Sequence, residues 1–146
     1  MQPFPHHCSV IAKADTQGDV ALAGERLPPI PSAPPTEFGG PGDRWAPETL
    51  FVAAVADCFV LTFRGIAGLS RFSWVSLECN VTGTVDHVDR VTQFTALTVR
   101  ARLRVPSGAN EEQARRLLTK AEETCLVTNS LKLRPHLEAV VEIEEP

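Results

Sequence analysis

The sequence lacks any block of basic residues. Its 14 lysines and arginines are interspersed with 18 acidic residues, and the net charge is -4. Because a protein that follows a phosphate backbone or an anionic membrane needs clustered positive charge, we expect neither nucleic-acid binding nor membrane-surface binding. The alternating Arg100, Arg102 and Arg104 are typical of a solvated sheet face, with an anion-binding stripe as the alternative.

The sequence also lacks the marks of export. Its first residues show no basic start, apolar middle and small-residue cleavage site, and we expect no apolar run long enough to span a bilayer. Cysteines are few, at four in 146 residues, and they are widely spaced. This usage is typical of a reducing compartment, where thiols are catalytic or inert rather than cross-linked. We therefore expect a cytoplasmic protein.

The length of the chain suits one domain with its own core, so we predict a single domain over residues 1–146. Two short segments on either side of Gly18, residues 8–14 and 19–23, predict a hairpin. Residues 27–47 are rich in proline and glycine. We expect an ordered arm there, in which neither a helix nor a paired strand persists.

The region from Pro47 to about Leu69 predicts a long helix that is apolar on every side. Pro47 suits the first helical position, and Glu48 adds a favourable charge to the first turn. The two predicted faces consist of Phe51, Ala54, Val55, Cys58, Leu61, Thr62 and Gly65 on one side, and Val52, Phe59, Phe63 and Ile66 on the other. We expect such a helix to be central, or sandwiched between a sheet and a partner.

Alternation of apolar and polar residues predicts three half-buried strands, over residues 75–85, 97–105 and 137–144. Phe94 is out of phase, so we expect a bulge or bend near Thr95. Asn110 and the acidic residues after it predict the start of a second helix, whose apolar stripe ends at Cys125. The order of elements predicts an α+β domain with helices on one face of a mainly antiparallel sheet.

Two cysteines, Cys58 and Cys125, lie on the apolar stripes of separate predicted helices, where they would form a redox pair if the helices met. Unpaired buried cysteines are otherwise plain core residues, and burial in apolar surroundings raises a thiol pKa. Cys58 therefore needs a nearby positive charge, and Arg64 points away from it on the same helix. The candidate arginines are Arg26 and Arg44.

Glu48 could orient such an arginine, but it lies ten residues before Cys58, which is about 15 Å along a helix. One chain cannot bring the two together on one helix. A second copy of the helix, crossing antiparallel in a two-fold dimer, would do so and would cover the apolar surface as well. Glu48 is equally explained as an ordinary first-turn acid.

The remaining cysteines have simpler interpretations. Cys79 faces inward on an alternating strand, which indicates a structural residue. Cys8 follows His6 and His7, but one such cluster without a second pair of ligands is weak evidence for a metal site. We predict no metal.

Two stretches of the sequence resemble the OsmC/Ohr family, the osmotically inducible and organic hydroperoxide resistance proteins. They are residues 47–59, preceded by Phe38-Gly39-Gly40, and residues 121–131, and each contains one cysteine of the possible pair. The resemblance extends from about Phe38 onward. It implies an OsmC-like α+β fold, with mainly antiparallel sheets packed around two central helices in an intertwined homodimer.

The resemblance further implies a thiol peroxidase with active sites at the subunit interface. Glu48 is the third candidate catalytic residue, beside Cys58 and Cys125. Cys58 would attack the outer oxygen of an alkyl or fatty-acid hydroperoxide, releasing the alcohol and leaving a sulfenic acid. Cys125 would condense with it to a disulfide. An external dithiol, in the family typically a lipoyl group on a protein, would reduce that bond, and no bound cofactor is implied. Apolar walls around Cys58 would favour an organic tail over hydrogen peroxide.

Two positions depart from the family pattern. The predicted hairpin turn, residues 15–19, has no arginine where peroxidase members carry one, and Leu126 stands where many members place a proline. The first departure leaves a second interpretation open: an OsmC-fold protein without peroxidase activity that binds a small apolar or thiol-reactive molecule at the dimer interface. An arginine near Cys58 would favour the peroxidase, and purely apolar surroundings would favour the binding protein.

Overall fold

The computed structural model describes residues 1–146, which divide into two compact units, Met1–Phe51 and Val52–Pro146. The first unit holds a three-stranded antiparallel sheet. Its strands are β1 (Ile11–Lys13), β2 (Val20–Gly24) and β3 (Leu27–Ser32), and a 3-10 helix follows over Thr36–Phe38. The pairing of β1 with β2 confirms the predicted hairpin.

The proline-rich segment contains a strand, so the expectation that no paired strand persists in residues 27–47 was wrong. β3 carries Pro28, Pro29 and Pro31 and pairs with β2. The reason is its position at the edge of the sheet. An edge strand has no neighbour on one side, so it tolerates residues that lack an N–H group.

The long helix α1 (Pro47–Leu69) begins where the proline and the first-turn acid predicted. Its buried residues Val55, Phe59, Phe63 and Ala67 form one stripe at intervals of four residues. The rest of its circumference is more open, and Leu61 remains 51% exposed. In a single chain the helix is therefore covered along one stripe and not on every side.

The same helix corrects the expectation about bilayer-spanning runs. By length and composition, α1 is long and apolar enough to cross a membrane. The core helix of a globular protein meets the same criterion, and Val55, Phe59 and Phe63 are at most 1% exposed. The buried stripe shows that α1 is a core element of its unit.

The second unit contains a three-stranded sheet of β4 (Ser76–Val88), β5 (Val91–Val105) and β6 (His136–Ile143), in the order β4-β5-β6. β4 and β5 are antiparallel, whereas β6 runs parallel to β5. Thr84 pairs with Ala96 and Val85 with Phe94, so Thr95 is the extra residue of a bulge, as predicted. The chain thus forms two sheets in place of one.

One face of this second sheet is buried and the other is exposed, as the alternation of apolar and polar residues predicted. The inward side chains of β5 are buried; they are Leu97, Val99, Ala101, Leu103 and Val105. The outward arginines pair with acids on β6 or directly after it, with Arg100 at 2.9 Å from Glu138 and Arg104 at 2.7 Å from Glu144. A solvated face of paired charges therefore explains the arginines.

Helix α2 (Glu111–Thr124) packs against β6 with a buried stripe of Ala114, Leu117, Leu118 and Ala121. Its cap is the predicted one, because the Asn110 side chain accepts a hydrogen bond from the Gln113 N–H at 2.9 Å. A third helix, α3 (Leu126–Asn129), follows at once and was not predicted. Together these elements confirm the α+β class.

Candidate active site

The structure brings Cys58 and Cys125 together, close enough for each thiol to shift the pKa of the other. Cys58 lies on α1, while Cys125 is the residue between α2 and α3, with an extended backbone at φ -63° and ψ 115°. Cys125 is 1% exposed, whereas Cys58 is half-buried. All cysteines are free thiols, so the pair is in its reduced form.

Hydrogen bonds lower the pKa of Cys58. Burial is the largest single influence and raises the pKa, but four hydrogen bonds to the sulfur act in the opposite direction and outweigh it. Their donors are the Val127 backbone N–H, the Cys125 thiol, the Thr62 hydroxyl and the Leu126 backbone N–H. The environment therefore favours the thiolate of Cys58.

The pKa of Cys125 moves in the other direction. Burial raises it most, and the hydrogen bond to Cys58 together with the repulsion between two negative sulfurs raises it further. A hydrogen bond from the Thr128 backbone N–H opposes this change without reversing it. The two sulfurs thus differ. Cys58 ionises at a lower pH than Cys125, and the protonated Cys125 thiol stabilises the Cys58 thiolate.

A third thiol lies near the pair. Cys79 faces inward from β4, and burial together with the charge of Cys125 raises the pKa of Cys79 to about 11. A thiol with this pKa is almost wholly protonated at neutral pH and is a poor nucleophile. The structure therefore agrees with the structural role expected for Cys79.

Both candidate arginines, Arg26 and Arg44, belong to the first unit, whereas Cys58 belongs to the second. Arg44 donates from Nε to Oδ2 of Asp19 at 2.9 Å, and this hydrogen bond raises the pKa of Arg44. Arg26 occupies the turn between β2 and β3 with φ of 61°, and Glu48 lies in the first turn of α1. The donors to the Cys58 sulfur all belong to the second unit.

The sequence interpretation missed the two main-chain donors. Every residue except proline carries a backbone N–H, so residue type does not reveal which N–H groups will point at a sulfur. In the second unit, the groups that lower the pKa of Cys58 are neutral hydrogen-bond donors and not a cation.

The segment that carries Cys125 is braced by Arg134. Its guanidinium donates to Oδ1 of Asn129 at 2.8 Å and, over 3.4 and 3.5 Å, to the backbone carbonyls of Glu122 and Glu123. It also lies 3.3 Å from the largely buried carboxylate of Glu122. The end of α2 and the end of α3 are therefore tied to one side chain, which fixes the position of Cys125 between them.

Apolar side chains flank both cysteines, and no metal site accompanies them. Leu61 is 51% exposed and Leu126 is 71% exposed. No group of three or more His, Cys, Asp or Glu side chains in the chain could hold a metal ion, and Cys8 is exposed.

The family model described as OsmC-like protein matches residues 40–140, which include both cysteines. A curated relative, the uncharacterized protein YmaD of Bacillus subtilis (strain 168), is 24% identical over 114 residues, covering 75% of this chain and 76% of YmaD.

Solved structures agree with the family match. An OsmC-like protein of unknown function from Vibrio cholerae has a TM-score of 0.85 at 19% identity, covering 93% of this chain and 100% of the other. An organic hydroperoxide resistance protein OsmC from Legionella pneumophila has a TM-score of 0.71 at 25% identity, covering 94% and 99%. The predicted fold family is thereby confirmed.

Proposed function

The chain belongs to the OsmC-like protein family, and from that premise we propose that it is a thiol-dependent peroxidase that reduces organic hydroperoxides to alcohols. Cys58 is the attacking residue and Cys125 the resolving one. The observation that carries the proposal is the contact between two sulfurs whose pKa values move in opposite directions. A plain core pair would have both pKa values raised by burial.

The reaction follows from this asymmetry. The Cys58 thiolate attacks the outer oxygen of the hydroperoxide, the O–O bond breaks, and the alkoxide takes the proton of the Cys125 thiol to leave as alcohol. Cys58 is now a sulfenic acid and Cys125 a thiolate. Attack by the Cys125 sulfur on the Cys58 sulfur forms the disulfide and releases hydroxide. An external dithiol, such as a lipoyl group on a protein, then reduces the disulfide by exchange.

Organic hydroperoxides are the preferred substrates in this proposal. The exposed side chains of Leu61 and Leu126 offer apolar contacts to an alkyl or fatty-acyl tail, which hydrogen peroxide cannot use. The Legionella pneumophila protein of similar fold is named an organic hydroperoxide resistance protein. We assign the reaction to the cytoplasm, where dithiol reductants are available.

A homodimer completes the proposal. Most of the α1 circumference is apolar and only one stripe is buried in a single chain, so a second copy of α1 is a suitable cover. In that arrangement Glu48 and one of Arg26 and Arg44 approach the Cys58 of the partner subunit. Sedimentation at micromolar concentration should show a dimer, and a monomer would remove the basis for this cross-subunit placement.

Purely apolar surroundings of Cys58 would favour the alternative, a binding protein without peroxidase activity. Hydrogen-bond donors from Thr62, Leu126 and Val127 reach the sulfur, so its surroundings favour a reactive thiolate over a site that only binds a ligand.

The peroxidase and the binding protein are distinguished by following the consumption of cumene hydroperoxide with a dithiol reductant in excess. The wild type and Cys79→Ser should turn over and Cys58→Ser should not. Full activity in Cys58→Ser would exclude the mechanism.

A further inference from the structure

We propose that Thr62 is a catalytic residue, whose hydroxyl donates to the Cys58 sulfur while that sulfur is a thiolate and leaves it when the sulfur is oxidised. The proposal rests on the function given above, in which Cys58 is the attacking thiol. Its geometric basis is one contact, in which Oγ1 of Thr62 lies 3.8 Å from Sγ of Cys58, within hydrogen-bonding reach of sulfur. Both side chains are half-buried.

The position of Thr62 on α1 is unusual for a hydroxyl. From Phe51 to Leu69 the helix carries two charged residues, Asp57 and Arg64, which are both exposed, and one hydroxyl, which is not. A β-branched polar residue adds little to helix stability or to an apolar surface. Thr62 follows Cys58 by four residues, and this spacing places the two side chains on the same face of the helix.

Other hydroxyls in and around the helices bond the main chain. A helical serine or threonine commonly donates to the carbonyl three or four residues earlier. Four such bonds, of 2.7–3.3 Å, run from Thr49 to Ala46, Thr124 to Lys120, Thr128 to Cys125 and Ser130 to Leu126. The hydrogen-bond partner of the Thr62 hydroxyl is instead the sulfur, and not the carbonyl of Cys58 one turn earlier.

The charge on the sulfur explains this difference. A neutral thiol is a weak acceptor, whereas hydrogen bonds to an ionised group are about twice as strong as neutral ones. A thiolate has no proton, so Thr62 is then the donor. When Cys58 attacks the peroxide, its electron pair enters the new S–O bond and the sulfur loses its charge. The hydroxyl then turns to the Cys58 carbonyl, so it stabilises the reduced state and not the oxidised one.

The first experiment follows the ionisation of Cys58 by the ultraviolet absorbance of the thiolate during a pH titration. The sequence has no tyrosine, whose ionised form would absorb as well. Exposed Cys8 is replaced by Ser in all samples, and the curve of Cys58→Ser is subtracted. Thr62→Val should move the midpoint up by about half a pH unit, which is a threefold change in ionisation. Thr62→Ser keeps the hydroxyl and should restore the midpoint.

The other ionisable groups around the sulfur are the same in each variant at position 62. Cys125 faces it from the α2–α3 junction, and Cys79 lies near Cys125 on β4. Asp57 and Arg64 belong to α1 itself. Thr119→Val makes the matched substitution on the exposed face of α2 and should leave the midpoint unchanged.

The second experiment measures the equilibrium between the Cys58–Cys125 disulfide and glutathione, at a pH above the midpoints found by titration. Stabilisation of the reduced form makes a disulfide easier to reduce. We therefore expect the disulfide of Thr62→Val to be about threefold harder to reduce than that of the wild type, as for the loss of one hydrogen bond. An equal constant would show that the hydroxyl does not distinguish the two redox states, and would overturn its release.

An unchanged midpoint in Thr62→Val would overturn the proposal, and so would a midpoint in Thr62→Ser that moves as far as that of Thr62→Val. If Thr62→Val does not fold, Thr62→Ala removes the same hydroxyl with a residue favoured in helices, and the same shift is expected. The titration involves neither peroxide nor disulfide. A wild type without peroxide turnover would defeat the proposed function, and the midpoint would still decide whether Thr62 acts on the sulfur.

Discussion

The hydroxyl of Thr62 lies 3.8 Å from the sulfur of Cys58, one turn further along α1. This is a side-chain contact within a single helix, so it persists in any arrangement of subunits. Because the contact stabilises the thiolate, its removal should raise the pKa of Cys58.

Thr62→Val removes the hydroxyl and keeps the shape of the side chain. We expect the rate of Cys58 alkylation at neutral pH to fall about threefold, as for the loss of one ordinary hydrogen bond. Thr62→Ser keeps a hydroxyl and should behave like the wild type. An unchanged rate in Thr62→Val would show that the hydroxyl does not act on the sulfur.

Cys125→Ser should allow the oxidation of Cys58 but prevent the formation of the disulfide. The variant keeps Cys58 as nucleophile, so one equivalent of hydroperoxide should be consumed, after which the sulfenic acid persists because no second sulfur is in contact with it. Trapping with dimedone followed by mass spectrometry detects this state. Cys79→Ser is the control and should form the disulfide normally. Repeated turnover in Cys125→Ser would mean that another thiol resolves Cys58.

The raised pKa of Cys79 predicts a loss of stability at high pH. In the folded protein the thiol keeps its proton up to about pH 11, whereas the unfolded chain releases it near 9.0. Between these values the unfolded state binds fewer protons, so raising the pH favours unfolding. We expect a contribution of about 1 kcal/mol, after allowance for solvent screening of a partly exposed group.

Denaturant titrations of the wild type and Cys79→Ala at pH 8 and pH 10.5 measure this effect. The sequence has no tyrosine, so fewer other groups titrate in this window. The difference in free energy of unfolding between the two pH values should be smaller in Cys79→Ala. An equal difference would show that Cys79 is not the titrating group.

Arg134 should control the closure of the disulfide. Its bonds tie Asn129 to Glu122 on either side of Cys125. With Arg134→Ala, Cys125 is less well placed, and we expect the attack of Cys125 on an oxidised Cys58 to slow about tenfold.

The measurement uses a mixed disulfide between Cys58 and thionitrobenzoate, from which attack by Cys125 releases the coloured thiolate. Exposed Cys8 is replaced by Ser in all samples so that it does not contribute. Arg116→Ala removes an exposed arginine paired with Glu112 on α2 and serves as the control. A release rate in Arg134→Ala equal to that of the control would refute the bracing role.

Local patterns in the sequence were sufficient for most of the elements. The start of α1 at Pro47, the Asn110 cap and the bulge at Thr95 are each encoded within a few residues, so they could be predicted. The edge strand β3 could not, because proline is excluded from a strand interior and tolerated at an edge, and position in the sheet is a property of the fold.

The sequence by itself determined which residues can do redox chemistry: two cysteines within blocks that resemble one family. It placed Cys125 at the end of a helix stripe, whereas the structure ends α2 at Thr124 and gives Cys125 an extended backbone. Only the tertiary structure decided that Cys58 and Cys125 lie close together, and that their surroundings lower the pKa of Cys58 while raising the pKa of Cys125. The physical reason is that a side chain's identity is local, whereas its pKa depends on burial and on the direction of donors. Those donors are brought to the sulfur only when α1 packs beside the α2–α3 junction.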